Sequence, residues 1–163
     1  MKISSITILL LLAVAGLSAQ SGLFGLAFGD TLNRADSLLA NQRFFAKEVE
    51  NTLVKYYSST NKMVESIVLV VHPELETVAG WLVRYNEYNS KKQDNHVLDK
   101  LHEMHGEAVH LDKEKARVTW TLTPTRTVTA WYSKPNNLTV FYHDSEKEYL
   151  FQTTQTPSEP AEE

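Results

Sequence analysis

The 163-residue chain has no cysteine, only six glycines and five prolines, and no excess of positive charge. Without thiols there is no disulfide scaffold, no thiolate metal site and no cysteine nucleophile. So few glycines leave no glycine-rich phosphate loop, and no G-x-S-x-G segment occurs anywhere. Sixteen Lys and Arg against 20 Asp and Glu give a net charge of -4, so nothing draws the chain toward nucleic acid or an anionic membrane. No nucleic-acid partner is expected. At this length the chain forms one domain, and no internal repeat is visible in it.

What is present begins with a targeting pattern. Lys2 precedes an apolar stretch from Ile6 to Leu17, and Leu17-Ser18-Ala19 ends in small residues that signal peptidase accepts. Residues 1–19 therefore read as a secretory signal peptide, with Gln20 and Ser21 interrupting any longer membrane span. Cleavage removes one Lys and leaves 15 positive against 20 negative side chains, a charge of -5 on a secreted, extracellular chain. Asn137-Leu138-Thr139 is a glycosylation sequon following the turn-forming Lys134-Pro135-Asn136. Residues 153–163, with two prolines, three glutamates and no large apolar side chain, read as a disordered acidic tail.

Between these ends the hydrophobic period changes. Leu32, Ala35, Leu38, Leu39, Ala46, Val49 and Leu53 form a stripe that predicts one long amphipathic helix over 31–57, capped by Asp30 or Thr31. Strands are predicted over Val64 to Val71, Thr77 to Tyr88, Ala116 to Leu122, Val128 to Tyr132, Leu138 to His143 and Tyr149 to Gln152. Asp94 to Met104 predicts a shorter helix stopped by Gly106. The expected fold is α+β: one long N-terminal helix packed across an antiparallel sheet of five or six strands, with a short inserted helix. Trp131 falls on the outward side of its strand by period.

Candidate chemistry is sparse. His96, His102, His105 and His110 fall close together, but His102-Glu103-Met104-His105 puts the second imidazole one residue early for a zincin. Glu74/Glu76 and Glu146/Glu148 flank turns, where carboxylates are simply hydrated. The chain is read as no enzyme, with no catalytic residue, no metal and no cofactor. Exposed apolar groups say more. Leu23-Phe24-Gly25-Leu26-Ala27-Phe28-Gly29 precedes any element able to bury it, so 20–30 reads as a flexible apolar arm able to fill a partner's groove. A third reading is a small hydrophobic-ligand carrier with Phe45, Trp81 and Trp120 lining a pocket.

These parts, in this order, resemble the cystatin superfamily. Leu23-Phe24-Gly25 is similar to its apolar-then-glycine arm, Leu32 to Tyr57 to its helix, and Glu76-Thr77-Val78-Ala79-Gly80 to its first hairpin loop. The resemblance makes 31–152 a single cystatin-like domain. It implies occlusion of a papain-like cysteine protease by a wedge of Phe24, Gly25, Val78, Ala79, Gly80 and an aromatic such as Trp131. The pattern departs from the family in Glu76, which stands where a glutamine is expected, and in lacking a Pro-Trp pair. Its second loop could be Thr123 to Arg126, Ala130-Trp131, or Ser133 to Asn137. The run from Val64 through Trp120 is also similar to a SEA domain without its self-cleaving Gly-Ser turn. That alternative is a non-inhibitory extracellular binding or structural module.

Overall fold

A computed structural model describes residues 21–152 apart from Lys113, Lys115 and Pro135. The expected signal peptide and acidic tail lie outside the described residues. Helix α1 spans Leu32–Asn41 and is followed by strands β1 (Phe45–Glu50), β2 (Leu53–Tyr57), β3 (Val64–His72) and β4 (Thr77–Tyr85). Helix α2 spans Lys91–His105 and is followed by β5 (His110–Asp112), β6 (Arg117–Thr121), β7 (Arg126–Lys134) and β8 (Asn137–Asp144), with a short α3 at Glu148–Gln152. All eight strands form one antiparallel sheet in the order β1-β2-β3-β4-β8-β7-β6-β5. The chain thus twice lays down a helix and then a four-strand meander, and the two meanders join through β4 and β8.

This corrects the expected architecture. The protein is an eight-stranded sheet with three short helices, and no long helix lies across five or six strands. The stripe read as one helix over 31–57 is a ten-residue helix followed by a hairpin. The helix ends in a Schellman motif: Phe44 N–H donates to the Leu39 carbonyl at 2.9 Å and Arg43 N–H to that of Ala40 at 2.9 Å. Arg43 takes the left-handed conformation usually left to glycine, with φ 63°, and buried Phe44 packs in the same core as Leu39. The next turn is Asn51-Thr52, Asn51 at φ 49°, which places Glu50 opposite Leu53. Val54 and Tyr56 then point inward at period two. Strand β1 is exposed at every position and slips register between Ala46 and Glu48.

Elsewhere the alternation was a good guide: β3, β4, β6, β7 and β8 lie where the sequence places strands. Tyr149 to Gln152 is helical, not a strand. Ser90, with Gln93 in a capping box, starts α2 in place of Asp94.

One face of the sheet, here the inner face, carries helices α1 and α2. Ala35 and Leu39 of α1, Val97 and Leu101 of α2, and inward residues of six strands make a single core. The leading segment belongs to that core too. Leu23, Leu26 and Phe28 are buried, and Phe28 packs on Trp81 at 5.0 Å, so residues 21–30 are not a flexible arm. Trp81 stacks on Tyr142 at 4.2 Å, and the Leu23 N–H donates to the Tyr142 hydroxyl at 3.0 Å. A Cβ on Gly22 would fall on the Tyr142 ring. Gly29, Asp30 and Leu32 then bond to the backbone of Glu76 and Val78, extending the sheet beside the first residues of β4.

Among the described residues, the opposite, outer face is covered by α3 alone. Leu150 and Phe151 of α3 sit on Leu53, Val70 and Ala79. A bulge opposite Val70 and Val71 puts Ala79 and Gly80 together beneath α3. A Cβ on Gly80 would lie 2.6 Å from the Tyr142 carbonyl oxygen and 2.8 Å from the Phe151 ring. Gly80→Ala is therefore expected to destabilise the fold by about 1–3 kcal/mol, as overpacking does, measured by urea unfolding; an unchanged midpoint would contradict this packing.

Asp94 is 2% exposed in the first turns of α2. Burial raises its carboxyl pKa above the ordinary range, and the Tyr132 hydroxyl, donating to Oδ2 at 3.1 Å, opposes that rise. A group raised in the fold contributes most when protonated, so its contribution is complete below the unfolded pKa of about 4 and is lost as pH rises through the folded value. Asp94→Asn should raise Tm near neutral pH, with the gain over wild type shrinking as the pH falls toward about 4. A gain that grows in acid would reverse the assignment.

Candidate functional site

The part of the outer face that α3 leaves open is built from β3, β4, β8, β7 and β6. Val83, Leu138, Val140, Val128 and Ala130 point to the core, so their neighbours Arg84, Thr139 and Trp131 point outward. Register aligns them into a row across the strands: Ser66 opposite Arg84, Arg84 opposite Thr139, and Thr139 opposite Trp131. Arg117 completes the row with its guanidinium 5.6 Å over the Trp131 ring. A second row of half-buried side chains runs beside it: Val68, Leu82, Phe141, Thr129 and Thr119.

The floor of this face is held by a chain of hydrogen bonds. Thr139 Oγ1 donates to Ser133 Oγ at 3.0 Å, and Ser133 Oγ donates to Asn137 Oδ1 at 2.8 Å. Asn137 Nδ2 donates to the Tyr85 carbonyl and, at 3.3 Å, to Glu65. Thr139 is buried between its larger neighbours Arg84 and Trp131, so the row is stepped, with a low point between two raised groups.

Electrostatically the row brings two guanidiniums together in an acidic chain. Among the described residues neither Arg84 nor Arg117 forms an ion pair, whereas Arg126 is held by Asp144 at 2.9 Å and Arg34 by Asp30 at 2.9 Å. Asp112, cross-strand from Arg117, accepts the Glu114 N–H through Oδ1 at 3.1 Å. Glu65, at the border, bonds to Asn137. The two guanidiniums are thus left to water on either side of an indole.

The residues of the expected protease wedge do not meet on one edge. Phe24 packs edge-on against Phe44 on the inner face at 5.4 Å, beside Gly25 in a short turn. Val78 and Ala79 are buried, and Gly80 is mid-strand under Phe151, not at a hairpin tip. The β3–β4 turn is instead Pro73 to Glu76. Trp131 lies on the outer face, with the sheet between it and Phe24. The carrier pocket is likewise not assembled: Trp81 and Trp120 are filled core, while Phe45 is 57% exposed on the edge strand.

Histidines do not gather either. His102 packs edge-on against Trp120, and His105 bonds through Nε2 to Tyr142 OH at 3.0 Å. Burial lowers the His105 pKa, which keeps the ring neutral beneath the leading segment. Among the described residues no three His, Asp or Glu side chains group as metal ligands, and no helix is long and apolar enough to cross a membrane. Among the described residues an open cleft of about 660 Å³ lies between the end of α2 and β5–β6, lined by His102, Ala108, Leu111 and Val118.

No family model, curated protein or solved structure matches this chain.

Asn137 is 3% exposed with its amide nitrogen engaged, which leaves no room for a glycan on Nδ2. The protein is expected to carry none even when expressed through a secretory pathway, as intact mass will show. Asn137→Ala should cost about 1–3 kcal/mol of stability by leaving partners unsatisfied; a neutral substitution or a glycan at this position would contradict the geometry.

Proposed function

We propose that this is a non-enzymatic extracellular binding module that presents the open part of its outer sheet face to an anionic ligand. The observation that carries the reading is Trp131 set among two guanidiniums, Arg84 and Arg117, neither paired with a carboxylate in a chain whose net charge is negative. Arg43 is likewise unpaired among the described residues, so what marks the row is that two guanidiniums stand in line with an indole across neighbouring strands. A guanidinium offers paired donors to a carboxylate or sulfate, and an indole offers a flat apolar surface, so the row supplies charge and shape recognition together. The extracellular part rests on the Met1 to Ala19 pattern. Inhibition of a papain-like protease has less support, because its contact residues are divided between the core and both faces of the sheet.

An acidic protein has no reason in its net charge to adhere to a carboxylate resin. At about 0.01 M salt, where screening extends over roughly 30 Å, the whole molecule is repelled unless a local patch wins. Retention on carboxymethyl resin is expected at neutral pH, with the double variant Arg84→Gln/Arg117→Gln passing through. Wild type in the flow-through, or the variant co-eluting with it, would overturn the reading.

A further inference from the structure

Resting on that reading, we infer that the ligand is a linear uronic-acid polysaccharide lying across the strands, with Trp131 under one sugar ring and Arg84 and Arg117 on carboxylates to either side.

Three features select this class. The first is charge spacing. Arg84 stands on β4, two strand intervals or about 10 Å across the sheet from the strand of Trp131, whereas the Arg117 guanidinium lies 5.6 Å from the Trp131 ring itself. Two separated charges suit a polymer carrying one acid per sugar, of which a short oligomer spans the row. They are a poor match for duplex DNA, with a charge about every 1.7 Å, which calls for many cations to release its counterions. A net charge of -4 adds repulsion that a densely sulfated chain would meet more strongly than a singly charged sugar repeat.

The second feature is the indole. Trp131 is half-buried beside Thr139 with the Arg117 guanidinium over its ring at 5.6 Å, so the indole keeps a partly exposed surface with little motion left to lose. The weakly polar C–H side of a sugar ring stacks well on such a surface. The third is the parallel row, which beyond Phe141, packed on Phe151 of α3, continues in the half-buried hydroxyls of Thr129 and Thr119. Those hydroxyls meet the hydroxyl groups of a sugar chain, and the low point at Thr139 leaves room for a ring between the raised side chains.

The test uses the secreted full chain and isothermal titration with oligogalacturonate, alongside neutral dextran, heparin and duplex DNA. Oligogalacturonate is expected to bind and dextran not to bind. Arg84→Gln, Arg117→Gln and Trp131→Ala should each weaken binding about tenfold or more, the scale of a lost charge-assisted hydrogen bond or aromatic contact. Trp131→Phe should restore most of the loss, and every variant should keep the wild-type Tm within about 2 °C, since these side chains lie outside the core. Tighter binding of heparin or DNA would overturn the ligand class, as would oligogalacturonate binding that is indifferent to all three substitutions. Retention on carboxymethyl resin without oligogalacturonate binding overturns this inference alone, whereas loss of both overturns the anion-binding face as well.

Discussion

The fold depends on the contact between Trp81 and Tyr142. These residues sit opposite each other on β4 and β8, where the two four-stranded halves of the sheet meet, and their rings stack on the inner face. Around that stack everything else on the inner face is arranged. The leading segment lies on it, with Gly22 admitted because it has no Cβ; Leu23 bonds to the tyrosine hydroxyl and His105 of α2 bonds to it from the other side. One phenol therefore ties together the start of the described chain, the second helix and the central ladder. Burial raises the Tyr142 pKa, so the hydroxyl keeps its proton and its bonding role.

Because the inner face is filled this completely, the binding proposed above is assigned to the outer one. There the two halves differ. The first half lies partly beneath α3, which closes a bulge over Ala79 and Gly80 and whose Phe151 also meets Phe141 and His143 of β8; among the described residues nothing lies over β7 and β6. That open sheet, with Thr139 sunk among larger neighbours and two guanidiniums beside it, is the surface the proposed binding would use. The hydrogen-bond chain from Thr139 through Ser133 to Asn137 explains how such a surface stays ordered without a covering layer.

Much of the sheet is legible in the amino-acid order, since Trp120, Val128, Val140 and their neighbours keep period two and Trp131 falls outward as that period requires. The first third is not. A helix stripe and a strand–turn–strand stripe coincide over Ala46, Val49 and Leu53, and the discriminating signal is a helix stop. That stop uses Arg43 in a glycine's conformation, so composition conceals it. The leading apolar segment misleads for a related reason: nothing local shows that the cover for Leu23, Leu26 and Phe28 comes from Trp81 and Tyr142, far along the chain. The outer row was hidden most completely. Arg84, Thr139, Trp131 and Arg117 belong to four strands and become neighbours only once strand order and register are known, so no window of sequence contains them.

The strand β1 has one more implication. Its six exposed residues leave a full ladder of backbone donors and acceptors facing water, which in a flat strand would invite another molecule to add on. Here the bulge after Ala46 bends that rim, and Lys47, Glu48 and Glu50 stud it with charges that an incoming strand would have to strip of water. Strand β1 is one of the two edges of the sheet, and these features oppose the addition of another strand there.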